Sequence, residues 1–253
     1  MRAAPVHDAD DTVRRLGDDE PVGAIGPVRT LRRIAAAVGD LAVPLLCGGC
    51  GRPDTPWCPT CDRCLSDVPR ALTPRVETGA PVWALGRYDG PLRASVLALK
   101  EHGRTDLAPV LGGGLADALI TLARWGDLPA GRRMLLVPAP TRAAAARRRG
   151  GDPVTAMCAS AVRGLGPRAA VAPLLVTAAS ARDSAGLGAG ARAANLAGAV
   201  RLTRTPPSAA TSSDSIVVLV DDVVTTGATA AASTRLLARA GVEVAAVLAV
   251  AGV

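Results

Sequence analysis

Residues 216–220, Ile-Val-Val-Leu-Val, are an unbroken run of β-branched residues and leucine. A strand with one wet face alternates apolar and polar side chains. This run does not, so it belongs to a strand buried on both faces, within a parallel sheet layered by helices. It leads straight into Asp221 and Asp222, and then into Val-Val-Thr-Thr-Gly-Ala-Thr, which opens a segment of helical period. The two acids are therefore expected to emerge at the C-terminal end of the strand, the edge where open α/β sheets bind ligands.

The alternation extends over the C-terminal half. Residues 134–140 read as a short buried strand, 152–165 as a helix capped by Asp152 with Pro153 in its first turn, and 171–176 as another strand. A helix over 225–241, closed by Gly241, and a strand over 242–251 complete the pattern. The expected fold class is α/β, a mainly parallel sheet with helices on both faces. Upstream, 81–90 reads as a strand entering a turn, 91–103 as a helix, and 106–126 as a second helix despite glycines at 112–114. Residues 1–28 lack periodicity and read as a disordered leader. Residues 30–46 begin as an amphipathic helix, with Leu31, Ile34, Ala35 and Val38 on one face and Pro44 as its stop. Ile34–Leu46 is broken by Asp40 and is shorter than the roughly 20 apolar residues of a membrane span. The N-terminus lacks the basic end and apolar run of a signal peptide. The expectation is a cytoplasmic protein without membrane insertion.

Cysteines define a second feature. Cys47-x2-Cys50, seven residues, then Cys58-x2-Cys61 offers four thiolates at a spacing suited to tetrahedral Zn2+. A reactive dithiol or disulfides are the alternatives, and Cys61-x2-Cys64 is a second possible pair. Cys58 and Cys61 are preferred because the other choice lengthens the loop and leaves Cys58 unexplained. Cys158 falls on a helical pattern and is assigned to the core. Four thiolates saturate zinc, so such a site is structural, and it would fold a segment too small to have its own core.

The residues around Asp221 and Asp222 narrow the chemistry. Thr225, Thr226, Gly227, Ala228 and Thr229 form a small-residue turn at a helix start, where backbone N–H groups and hydroxyls can cradle a phosphate. Acids beside a phosphate cradle suit a ligand that carries both phosphate and hydroxyl groups, such as ribose 5-phosphate. The net charge of +7 comes from arginine excess and fits an anionic partner. With three Trp, one Tyr and no Phe, stacking platforms for single-stranded bases cannot be numerous. The run Ala146–Gly150, ARRRG, reads as a solvated helix face or as a nucleic-acid or ligand contact. Lys100, Tyr88 and Asn195 are the chain's sole lysine, tyrosine and asparagine, in a sequence where arginine replaces most lysine.

From Val217 to Thr229 the sequence resembles the phosphoribosyl pyrophosphate (PRPP) motif of type I phosphoribosyltransferases. Together with the two CxxC pairs, GRYDGPLRASVLALKEHGRTDLA and LLVPAPTRAAAARRRG, residues 45–250 resemble the ComF family of competence-associated, phosphoribosyltransferase-like proteins. The resemblance implies a zinc-binding module over 29–75 and a phosphoribosyltransferase-like domain over 76–253. It implies Asp221 and Asp222 on the ribose, residues 225–229 on the 5-phosphate and Arg142 near the pyrophosphate, with Mg2+ bound largely through PRPP. Lys100, Arg182, Arg192 and Asn195 are further candidate ligand contacts. It also implies transfer of phosphoribosyl to a nitrogen acceptor and a link to DNA uptake. The other implied reading is an inactive accessory that binds single-stranded DNA or a helicase. The sequence departs from the family at Gly151-Asp152-Pro153, where Phe-Asn-Gln is usual, and at Ser184, Gly188 and Ala189.

Overall fold

The run at 216–220 lies in the middle of the sheet. The computed structural model describes residues 45–65, 68–129, 132–140, 151–178 and 199–253, and Leu45–Val253 form one unit. Strand β7 (Ser215–Val224) lies between β8 (Val244–Gly252) and β3 (Arg133–Pro138). Strand β2 (Val82–Arg87) flanks β8, and β4 (Ala169–Val171) flanks β3. These five are parallel. Strand β1 (Arg70–Leu72), inside the expected 29–75 segment, closes one edge antiparallel to β2.

Period-2 alternation divides the buried side chains of β7 between two cores. Ile216, Val218 and Val220 pack with Leu136, Leu248 and Val250 beneath α2 (Gly90–Glu101), α3 (Leu107–Trp125) and α4 (Pro153–Leu165). Val217 and Leu219 pack with Leu135, Val137 and Val247 on the opposite face, beneath α6 (Ala228–Arg239) and short α5 (Ser208–Thr211). The α/β expectation holds: a mostly parallel six-stranded sheet flanked by helices.

Helix α3 tolerates its glycines because two of them are contact points. A Cβ at Gly112 would lie 2.5 Å from the Met157 carbonyl of α4, and one at Gly114 would lie 3.1 Å from Leu85 Cδ1. Bare backbone lets α3 approach both neighbours. This helix also has the length and apolarity of a membrane span. Its Leu111, Leu115, Leu119 and Leu122 are fully buried in the protein core, which accounts for that apolarity. Asp152 caps α4 as expected, accepting from Val154 N at 3.4 Å and Thr155 N at 3.1 Å.

Two expectations need correction. Residues 171–176 are not one strand: Pro173 lacks the N–H a ladder requires, so β4 ends at Val171. The chain then leaves the main sheet, and β5 (Leu175–Thr177) pairs antiparallel with β6 (Val200–Leu202). Nor does the central strand stop at Val220. Its β3 partner ends there, but β8 continues the ladder through Asp221↔Ala249 to Val224↔Gly252. The acids thus lie on the strand's last turn of pleat, not beyond it. The expected leader and the helix from Thr30 lie outside the described residues.

Candidate functional site

Successive residues of an extended strand point to opposite sides, so Asp221 and Asp222 do not act as an equivalent pair. Asp222 is buried, and Lys100 from the last turn of α2 places Nζ 2.6 Å from its Oδ2. Asp221 turns back on the backbone, its Oδ1 accepting from Asp222 N at 2.9 Å. Asp221 keeps some exposed surface, yet enough protein surrounds it for burial to dominate its ionisation. Burial first, then the Asp222 charge, push its carboxyl up to about 8, against the opposing pull of Lys100. At neutral pH this carboxyl can therefore donate a hydrogen bond as well as accept one.

A pH dependence follows. The folded pKa of Asp221 lies above the unfolded carboxylate value of about 3.9, so within that window the folded state holds the proton more tightly. Its contribution to stability is present below the unfolded pKa and is lost as pH rises through the folded one. Asp221→Asn, fixed in the neutral form, is expected to lose less stability than the wild type between about pH 5 and about pH 8. Urea midpoints at the two pH values measure this, and parallel losses in both proteins would contradict the assignment.

Beyond Val224 the chain turns through Thr225 and Thr226 and enters α6 at Gly227, whose φ is +80°. The turn is braced from outside: Val76 N donates to Thr226 O at 2.9 Å, and a Cβ on Gly227 would lie 2.6 Å from Pro74 Cβ. Ala228 N donates to Thr226 Oγ1 at 3.4 Å. Thr225 is exposed, while Thr226 and Thr229 are partly so. The first turn of α6 has N–H groups without intrahelical acceptors, at the same sheet edge as Asp221.

The sulfurs of Cys47, Cys50, Cys58 and Cys61 all lie within 4.8 Å of one another. Tetrahedral zinc with Zn–S bonds of about 2.3 Å requires S–S separations of about 3.8 Å, close to this arrangement. Cys50 and Cys58 are already 3.6 Å apart. Gly49 completes the cradle, because a Cβ there would lie 2.7 Å from Cys61 Sγ. Burial opposes ionisation of Cys47, but the N–H groups of Cys50, Gly49 and Cys58 aimed at its sulfur bring it down to about 6. Burial and the neighbouring thiols push Cys61 upward. The four cysteines could hold a structural metal ion, consistent with zinc, and binding would displace protons. Cys64 lies outside the group, packed against the α2–α4 core, and Cys158 is buried in that core as expected. Cys58 and the short helix α1 (Pro59–Asp62), which carries Cys61, supply the second pair.

Lys100 is brought to the acids. Tyr88 is not: its N–H donates to Gly252 O at 2.8 Å and its ring packs against the helical core, 6.0 Å from Arg93 Cζ. Arg142, Arg182, Arg192, Asn195 and the ARRRG run lie outside the described residues. Their flanks are placed, however. Ala139 N donates to Val220 O at 2.7 Å, and Thr177 Oγ1 donates to Pro140 O at 3.3 Å, so the chain leaves β3 and β5 at the acid-bearing edge. Sequence reasoning passed over Arg104, which bridges the cysteine segment and the loop after α2. Its only local signal is Asp106 two residues on. Compared with models of known families and with curated proteins, the chain matches none.

Proposed function

We propose that the C-terminal edge of the sheet is a type I phosphoribosyltransferase-like site that binds PRPP, or another ribose 5-phosphate group, with Mg2+. The reading extends to a cytoplasmic, ComF-like protein that transfers phosphoribosyl to a nitrogen acceptor in connection with DNA uptake. The observation that carries it is the conjunction, within one strand-turn-helix, of an acid held by Lys100, a second acid with a raised pKa, and the turn 225–229 at the start of α6.

In this reading residues 225–229 and the N–H groups of α6 hold the 5-phosphate. Asp222, oriented by Lys100, accepts from a ribose hydroxyl, and Asp221 donates to or accepts from its neighbour. Asp222 is already engaged by Lys100, so the described residues offer no carboxylate cage at this edge. Mg2+ would be carried by ligand oxygens and supply charge neutralisation on pyrophosphate. The C1–O bond breaks with its electron pair leaving on pyrophosphate, and the acceptor nitrogen forms the C1–N bond. The protein contributes position and electrostatic complementarity.

Isothermal titration of the zinc-loaded protein with PRPP and Mg2+ tests the reading. Wild type should release or absorb binding heat, and Asp222→Asn should weaken binding by about a hundredfold. Absence of heat from folded wild type would refute it. A salt-dependent association with single-stranded DNA, indifferent to Asp221→Asn and Asp222→Asn, would favour the accessory reading instead.

A further inference from the structure

The Arg104 guanidinium makes four directional contacts that join two separate segments of the chain. Its Nη1 donates to Leu46 O at 2.8 Å and its Nη2 reaches Pro56 O at 3.5 Å. Leu46 immediately precedes Cys47, and Pro56 lies two residues before Cys58, so one guanidinium spans both arms of the cysteine cradle. Asp106 fixes the fork from the other side, accepting from Nε at 2.9 Å and Nη2 at 2.8 Å. The guanidinium also lies close enough to Cys47 for the two charges to attract. Meanwhile the backbone N–H of Arg104 donates to Ala98 O at 3.1 Å, in the last turn of α2, as does His102 N. That turn carries Lys100, whose Nζ pairs with Asp222.

We propose that Arg104 is a positioning residue that ties the cysteine cluster to the Lys100–Asp222 pair, so that an ordered metal cradle holds the lysine on the acid. A long side chain such as Lys100 retains its partner only while its helix end is fixed. The end of α2 borders a turn with Gly103 at φ +66°, and the described bonds that pin this turn to the cysteine segment come from Arg104. The functional meaning of this tie rests on the ribose-phosphate reading of Asp222, but the tie itself does not.

Lys100 is the sole lysine, so amine acylation reports on it at the peptide level. Zinc-loaded wild type, Arg104→Gln and Asp222→Asn are exposed briefly to acetic anhydride and analysed by peptide mass spectrometry. Asp222→Asn, which removes the carboxylate that Lys100 pairs with, gives the reference rate for a broken pair. Arg104→Gln is expected to label Lys100 about tenfold faster than wild type, while zinc content stays near one ion per chain. Cys158, buried in the core, should stay inert to N-ethylmaleimide and so exclude general loosening. A rate within about twofold of wild type would overturn the inference, as would acceleration seen only together with Cys158 labelling. If Arg104→Gln fails to fold, Asp106→Asn releases the fork from one side and should give a smaller rise, with no rise counting against. Labelling needs no PRPP, so failure of the ligand reading would show separately in the titration.

Discussion

Serine in place of Cys58 is expected to lower the zinc content of purified protein from about one ion per chain to near zero under mild chelation. It is also expected to detach the 45–65 segment from the rest of the fold. The reason is the poverty of that segment's own core. Among the described residues, Cys47, Cys58 and Cys61 form a buried cluster with only Trp57 packed against them. Such a cluster cannot offset the conformational entropy of ordering some twenty residues, at about 1–2 kcal/mol each. Metal binding supplies the difference in small thiolate modules, where apparent zinc binding is about 10–16 kcal/mol at neutral pH. The sheet has an independent core on both faces and should survive. Calorimetry should therefore show a lower and broader transition, shifted by on the order of 10 °C, rather than loss of cooperative unfolding. Metal analysis of Cys64→Ser gives the contrast. Cys64 lies outside the sulfur cluster, so its replacement should leave zinc unchanged. Equal zinc loss from both variants would mean that the ligand set is wrong.

The other large effect is expected at Gly227. Alanine there meets two independent obstacles. A φ of +80° places an L residue in the left-handed region, at a cost of about 1–2 kcal/mol. The new methyl would also lie 2.6 Å from Pro74 Cβ and 3.0 Å from Val76 O, so the 74–76 segment must retreat. Retreat breaks the 2.9 Å bond from Val76 N to Thr226 O, which positions the turn. Together these should destabilise the protein by about 3 kcal/mol. If the turn receives a phosphate, displacement by about 1 Å should also weaken Mg-PRPP binding by about a hundredfold. Gly113→Ala is the matched control: nothing lies within 4 Å of its added Cβ, and it sits within a helix. It should stabilise by about 0.5–1 kcal/mol and leave binding alone. Chemical denaturation and titration of the two variants measure both effects, and a Gly227→Ala protein as stable as wild type would remove the brace from the account.

Much of the fold was readable from local pattern. The uninterrupted Ile216–Val220 run demanded helices on both faces, and the two cores provide them. Helix α3 was legible through its leucine period even across Gly112–Gly114, because Gly112 and Gly114 serve close approach rather than a turn. Pro173 shows the limit in the other direction. Its apolar neighbours suggested one strand, but a missing N–H outweighs hydrophobic pattern where a ladder must be made.

The candidate site was legible in residue type and not in arrangement. Asp221, Asp222 and the Thr225–Thr229 turn could be named from their order, and the four cysteines from their spacing. That the acids face opposite ways, one buried against Lys100 and the other raised toward neutral pH, depends on a ladder with β8 that no local window contains. The reach of Arg104 to the cysteine segment was not legible because its partners there are backbone carbonyls, which every residue carries and no motif marks.

The sequence by itself thus determined the layers, the order of elements and the inventory of reactive groups, since these follow from side-chain period, turn chemistry and cysteine spacing. Only the tertiary structure decided where β7 ends, which carboxylate Lys100 holds, and that the cysteine cradle is bonded to the loop behind that lysine. Hydrogen-bond ladders and charge pairing join residues far apart in the chain, and such bonds depend on geometry that composition and spacing do not encode.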